Sequence, residues 1–193
     1  MTQVKAIVLR AAGINCDMET QFALEQAGAQ ADRIHVNRII KDKGLLDDYQ
    51  IMVFPGGFSY GDDVAAGKIL ANQIVHHLHD QVRHFIGQGK LVLGICNGFQ
   101  VLVKTGILPG MESGNGEVTI TGNDSDKFED RWIYLTPQVD HCVFIEQGKQ
   151  IYLPIAHAEG KVVVKHDAVL DQLRSQGRIA YKYVDQQGAE GSY

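Results

Sequence analysis

Residues 91–103 read LVLGICNGFQVLV, an apolar run that stops at Gly94, one cysteine, Cys96, and a second glycine, Gly98, before an amphipathic stretch begins. Gly94-Ile95-Cys96-Asn97-Gly98 has the form G-x-C-x-G, the thiol version of a nucleophile elbow. Glycines on both sides of the nucleophile remove side chains that would clash in a tight strand-to-helix turn. A helix starting at such a turn offers free N–H groups and a positive dipole end, which favour negative charge on the sulfur. The N–H of Asn97 is placed to receive an oxyanion formed when Cys96 attacks a carbonyl. The alternative is a small buried thiol between two convenient glycines; strand, elbow and helix in the right order favour the nucleophile. A second constellation, FPGGFSYGDDVAAG (54–67), ends a strand in a glycine-rich turn. It predicts backbone donors near Gly57 and Phe58 and a second arm for the oxyanion. A thiol nucleophile also needs a base, and a carboxylate to orient that base. Only one histidine has Glu two residues on: His157, with Glu159, in PIAHAEGK.

The elements that must position these groups follow from the pattern. VKAIVLR (4–10), YQIMVFPGG (49–57) and KLVLGI (90–95) are continuous apolar strands, and ADRIHVN (31–37) adds another. METQFALEQAG (18–28), a long stretch from Val64 to Ile86, and NGFQVLVKTG (97–106) have helical spacing, with Phe22, Ala23 and Gln26 at that spacing in the first and Gly28 as its stop. Alternating helices and unalternated strands predict an α/β fold with a parallel sheet flanked by helices. Ligands of such sheets bind at the carboxyl edge, where Cys96 and the PGG turn both fall. After about residue 115 the style changes to an antiparallel β extension: EVTI, RWIYLTP, VFIEQ, YLPIAH and KVVVKH, separated by turns such as SGNG. DAVLDQLRSQG (167–177), with Asp167 as N-cap, is a last helix, and IAYKYVD (179–185) a last strand. DQQGAEGSY (185–193) is a turn that should lead to a returning strand.

The bounds are ordinary. The chain has 193 residues, 45% of them hydrophobic, which suits one domain with a full core. A net charge of −5 speaks against nucleic-acid binding, and no apolar run is long enough for a membrane span. Three widely spaced cysteines, Cys16, Cys96 and Cys142, fit a reducing cytoplasm rather than a disulfide framework. Asn15, Cys16 and Asp17 fall at the same sheet edge as Cys96. His76 and His79 lie one turn apart without a further ligand at a clear spacing, so no metal is expected.

GINCD, PGGFSYGD, LGICNGFQ, GILPG, FEDRW and PIAHAEG, in this order over residues 13–160, and YKYVDQQG beyond them, resemble a known family. The chain is similar to the class I glutamine amidotransferases, and within them to the PurQ-type glutaminase component of phosphoribosylformylglycinamidine synthase. The resemblance implies a flavodoxin-like α/β core in a single domain over residues 1–193. It implies that Cys96 attacks the side-chain amide of glutamine, ammonia leaves and water resolves a γ-glutamyl thioester. Gly57 and Asn97 would then hold the oxyanion, and Gln100 would help seat glutamine. The ammonia would pass to a synthetase partner of purine biosynthesis; a small accessory subunit stays open. ATP and magnesium would belong to the partner, with no cofactor in this chain.

The resemblance also separates PIAHAEG from the family's catalytic pair, which sits in a later HPE-type segment that this sequence does not contain. Three readings stay open: a chain whose base and carboxylate lie past residue 193, a chain in which His157 and Glu159 serve Cys96, and an inactive member that scaffolds its synthetase. Rival functions are another class I amidotransferase, a related α/β cysteine hydrolase, and a binding-only flavodoxin-like module, for which RAAGINCD is a weak phosphate loop.

Overall fold

The computed structural model describes residues 3–110 and 116–190. These form two compact units, residues 1–111 and 112–193.

The first unit alternates strand and helix. β1 (Lys5–Arg10), α1 (Asp17–Gln26), β2 (Gln30–His35), α2 (Val36–Lys41), β3 (Ile51–Phe54), α3 (Lys68–His77), α4 (His79–Gly87), β4 (Leu91–Gly94) and α5 (Asn97–Lys104) follow in order. The four strands make a parallel sheet in the order β2-β1-β3-β4. That is the flavodoxin-like order as far as it runs, with the carboxyl ends of β1, β3 and β4 side by side. Ala6, Ile7, Val8 and Leu9 are buried because helices cover both faces of β1. Ile7, Leu9, Met52 and Phe54 pack with Leu70, Ile74, Phe85, Val101 and Leu102 into one core. α5 is buried on most of its circumference, so its eight residues hold their place by packing rather than by propensity.

The reading of the stretch 64–86 changes here. The helical stretch 64–86 is two helices broken at Leu78, whose φ of −131° leaves the helical region. Residues 64–67 precede them as a turn ending at Gly67, with a left-handed φ of 72°. On α1, Phe22 is exposed; the covered positions are Asp17 and Thr20. Asp17 sits against Arg10 Nε at 2.8 Å and Arg33 Nη1 at 3.2 Å, so its charge is spent on tying α1 to β1 and β2.

The second unit is mostly antiparallel. β5 (Val118–Gly122) pairs with β8 (Glu159–Val164), and β6 (Glu129–Pro137) pairs with β7 (Ile151–His157) on one side and β9 (Tyr181–Val184) on the other. The N-cap position of α6 (Asp167–Ser175) is His166, whose side chain makes no capping bond, and Asp167 falls in the first turn. VFIEQ (143–147) forms no strand: Val143 and Phe144 are exposed and the segment is a succession of turns. The expected hairpin turn after β9 is present, with Asp185 Oδ1 accepting from the N–H groups of Gln187 and Ala189. Residues 191–193 and most of the SGNG turn lie outside the described residues.

Candidate active site

The elbow is built as its glycines require. Cys96 has φ 52° and ψ −114°, a left-handed conformation that costs a non-glycine residue about 1–3 kcal/mol. A Cβ at Gly98 would lie 1.9 Å from the Phe54 carbonyl oxygen, and one at Gly94 2.6 Å from Leu102 Cδ1. Gly98 therefore lets α5 start directly against β3, and Gly94 lets it fold back over β4. Cys96 is exposed at the tip, between buried Asn97 and the β4 strand end. Its carbonyl accepts from Phe99 N and Gln100 N, which leaves the Asn97 N–H without an acceptor among the described residues.

The loop after β3 approaches the elbow. A Cβ at Gly56 would lie 3.4 Å from Cys96 Cβ and 3.6 Å from Cys16 Sγ, so this glycine separates the two thiol-bearing residues. Gly57 has φ 131°, and its missing side chain would be 2.7 Å from Asn15 N. The Gly57 N–H has no acceptor among the described residues. Phe58 corrects one expectation: its N–H is not a free donor, because it donates to Gly13 O at 2.9 Å. Tyr60 N likewise donates to Ala12 O and Cys16 N to Gly56 O, so the loops after β1 and β3 are laced together. The Phe58 ring remains exposed at the surface.

Beneath these backbone groups lies a polar cluster that no short motif announced. Asn97 Oδ1 accepts from Ser59 N at 3.2 Å and Ser59 Oγ at 2.7 Å. Asn97 Nδ2 donates to Asp62 Oδ1 at 3.0 Å and Gln100 Oε1 at 3.3 Å. Gln100 is thus buried and bound to Asn97. Tyr60, Gly61 and Asp62 are three consecutive residues at positive φ. The available signal was the SYGD tetrapeptide itself, since Gly and Asp tolerate left-handed backbone.

Among the described residues nothing hydrogen-bonds Cys96 Sγ. His157 belongs to the second unit. Its Nδ1 lies 2.9 Å from Asn123 Oδ1, which also accepts from Gly160 N, while Asn123 Nδ2 donates to the His157 carbonyl. An Nδ1–H donated to Asn123 leaves Nε2, the atom that would take a thiol's proton, and this atom is buried without a hydrogen-bond partner among the described residues. A Cβ at Gly160 would lie 2.1 Å from the ring, so Gly160 is small to admit His157. Glu159 opens β8. His157 and Asn123 thus close the β5–β8 end of their own unit. No group of three His, Cys, Asp or Glu comes together as metal ligands among the described residues.

A parallel sheet, a strained cysteine elbow and a glycine-rich loop on one carboxyl edge are the architecture of the α/β thiol amidotransferases. Comparison with known proteins agrees. Residues 3–192 match the CobB/CobQ-like glutamine amidotransferase domain. A phosphoribosylformylglycinamidine synthase subunit PurQ of Dehalococcoides mccartyi is 44% identical over 193 residues, covering 100% of this chain and 74% of that protein. The PurQ subunit of Archaeoglobus fulgidus is 38% identical over 207 residues, covering 99% and 76%. Among solved structures, PurLQS from Thermotoga maritima superposes with a TM-score of 0.73 at 30% identity, covering 96% of this chain and 76% of that one. The chain belongs to the glutamine amidotransferase family of PurQ subunits of phosphoribosylformylglycinamidine synthase.

Proposed function

We propose that this chain is the glutaminase subunit of a phosphoribosylformylglycinamidine synthase, releasing ammonia from glutamine for a synthetase subunit in purine biosynthesis. One observation carries the reading: the left-handed Cys96 stands exposed on its elbow beside two backbone N–H groups, those of Gly57 and Asn97, that have no acceptor among the described residues.

The chemistry follows from that placement. Cys96 Sγ adds to the glutamine side-chain carbonyl. The C–S bond forms as the carbonyl π pair moves onto oxygen, where the Gly57 and Asn97 N–H groups receive the charge. Collapse of this adduct expels ammonia, whose nitrogen takes up the proton given up by the Cys96 thiol as the C–N bond breaks, and leaves a γ-glutamyl thioester. Water adds to the thioester carbonyl through the same oxyanion site, and glutamate leaves as the thiol is restored. ATP and magnesium act in the synthetase, and this chain carries no cofactor of its own. Phe58 contributes its exposed ring to the substrate side of the loop rather than a backbone donor. We assign His157 and Glu159 no part in the proton transfer, because His157 Nε2, the atom that would take the proton, is buried without a partner among the described residues. The fold has no helix long and apolar enough to cross a membrane among the described residues, and the proposed reaction belongs in the cytoplasm.

The test is glutamate and ammonia release by this polypeptide, with and without its synthetase. Cys96→Ala is expected to remove turnover altogether, while His157→Ala leaves kcat within about threefold of the parent. Turnover surviving in Cys96→Ala would defeat the nucleophile assignment. Loss of turnover in a folded His157→Ala protein would restore that histidine as the base.

A further inference from the structure

We propose that the Asn97 side chain is a positioning residue for glutamine hydrolysis, a clamp that holds the two oxyanion donors in register. The inference rests on the glutaminase reading above and deepens it.

Asn97 is 2% exposed and uses its carboxamide to capacity. The oxygen accepts twice, from Ser59 N and Ser59 Oγ, and the NH2 group donates twice, to Asp62 Oδ1 and Gln100 Oε1. A primary amide has two acceptor sites and two donors, so no valence is left over. Only one orientation of the amide fits, because the Ser59 N–H can only donate and the Asp62 carboxylate accepts. Asp62 Oδ1 also accepts from Gly67 N at 2.9 Å, which anchors the far end of the loop where α3 begins.

The consequence is geometric. One oxyanion donor is the Asn97 main-chain N–H, on the elbow. The other is the Gly57 N–H, two residues before Ser59, on a different loop. The same residue that supplies the first donor grips, through its side chain, the segment carrying the second. That segment has reason to need a grip: Tyr60, Gly61 and Asp62 are all held at positive φ, and Gly57 at 131°. Backbone of this kind persists only where its surroundings over-determine it. Bonds from Phe58 N and Tyr60 N tie the loop to β1's end, but only the Asn97 amide ties it to the elbow among the contacts described. An oxyanion hole depends on donors held at their final distance before the charge appears, so loosening this tie acts on the adduct rather than on the thiol.

Two electrophiles separate those effects at Cys96. With iodoacetamide, Sγ displaces iodide from a methylene carbon and no oxyanion forms. With a glutamine-derived chloroketone, Sγ adds to the ketone, the oxygen takes the charge, and chloride leaves as the thioether forms. Both reagents need the same thiolate, so the ratio of their labelling rates at Cys96, read by mass spectrometry, isolates the donors. In Asn97→Ala the ratio is expected to fall about tenfold, a fraction of the loss seen when an oxyanion donor is removed outright. Ser59→Ala, which takes away one of the four bonds, is expected to lower it less and in the same direction, and decides the matter if Asn97→Ala does not fold. A ratio within twofold of the parent in a folded variant overturns the proposal. So does a parallel fall with both reagents, which would place the effect on the thiol. If the parent itself shows no preference for the chloroketone, the glutaminase reading fails and this inference with it. A preference retained by both variants overturns the inference alone.

Discussion

Cys16 lies across Gly56 from Cys96, and the two thiols have different surroundings. Partial burial pushes the Cys16 thiol up, and Glu19, Cys96 and Asp17 add negative neighbours in that order. A thiol raised in this way carries less thiolate at a given pH, and only the thiolate is alkylated. The rate of Cys16 modification by iodoacetamide is therefore expected to rise with a midpoint above 9.0, the ordinary value for the group. A profile centred at or below that value would remove burial and the acidic neighbours as the controlling influence. At this scale the sequence was legible where the signal was local. G-x-C-x-G named Cys96 because both glycines act on the residues beside it. Phe58 was misjudged because the acceptor of its N–H, Gly13, sits on another loop 45 positions earlier. The Asn97 clamp was invisible for the same reason: Ser59 and Asp62 reach it only after β3 and β4 have paired.

At the scale of elements, the elbow depends on α5 starting within contact of β3. Gly98→Ala puts a methyl group 1.9 Å from the Phe54 carbonyl oxygen, a backbone atom in the middle of the sheet, which cannot swing aside like a side chain. We expect this variant to lose about 3 kcal/mol, at the upper end of overpacking costs, and to lower the thermal midpoint by about 6–12 °C. Gly87→Ala at the end of α4 serves as the control, since a Cβ there meets nothing within 4 Å and its backbone is outside the left-handed region. An unchanged midpoint for Gly98→Ala would show that α5 can withdraw from the strand. The parallel strands of the first unit were readable as unbroken apolar runs because both faces are covered. VFIEQ was misread because β-branched and aromatic content alone does not make a strand; a neighbour must offer hydrogen bonds, and β6 is already paired on both edges, with β7 and β9. The break at Leu78 was hidden because the apolar spacing continues through it, with Ile74, Leu78 and Val82 all buried.

For the molecule as a whole, stability in alkali should bear the mark of Tyr49. Burial, with the hydrogen bond to Asp32 at 2.9 Å, pushes this phenol up to about 12 from an ordinary 10.0. The unfolded chain therefore loses the proton first. The stabilisation is complete below pH 10 and is lost as pH rises towards 12. Denaturant midpoints measured from pH 9 to 12 are expected to fall more steeply for the parent than for Tyr49→Phe. Parallel curves would show that the phenol is not protected. Tyr183, whose phenol is also raised by burial, adds a slope common to both proteins. The overall organisation was legible in part: the change from parallel α/β to antiparallel β near residue 115 coincides with the boundary between the two compact units at residues 111 and 112. Which strands of the second unit pair was not legible, since β5 skips β6 and β7 to reach β8, and such pairings leave no trace in local pattern.

The bonds described for the elbow and its loop, from Ala12 and Gly13 to Gln100, join residues of the first unit. During synthesis this part of the chain emerges first, at roughly 5–20 residues per second, and N-terminal domains tend to fold as they appear. The thiol can thus be standing on its strained turn, with both oxyanion donors in place, several seconds before the ribosome has completed the sheets that follow. For that interval an exposed cysteine is on display in a nascent chain, and an unfinished polypeptide can already be tagged by an electrophile that reads the finished elbow.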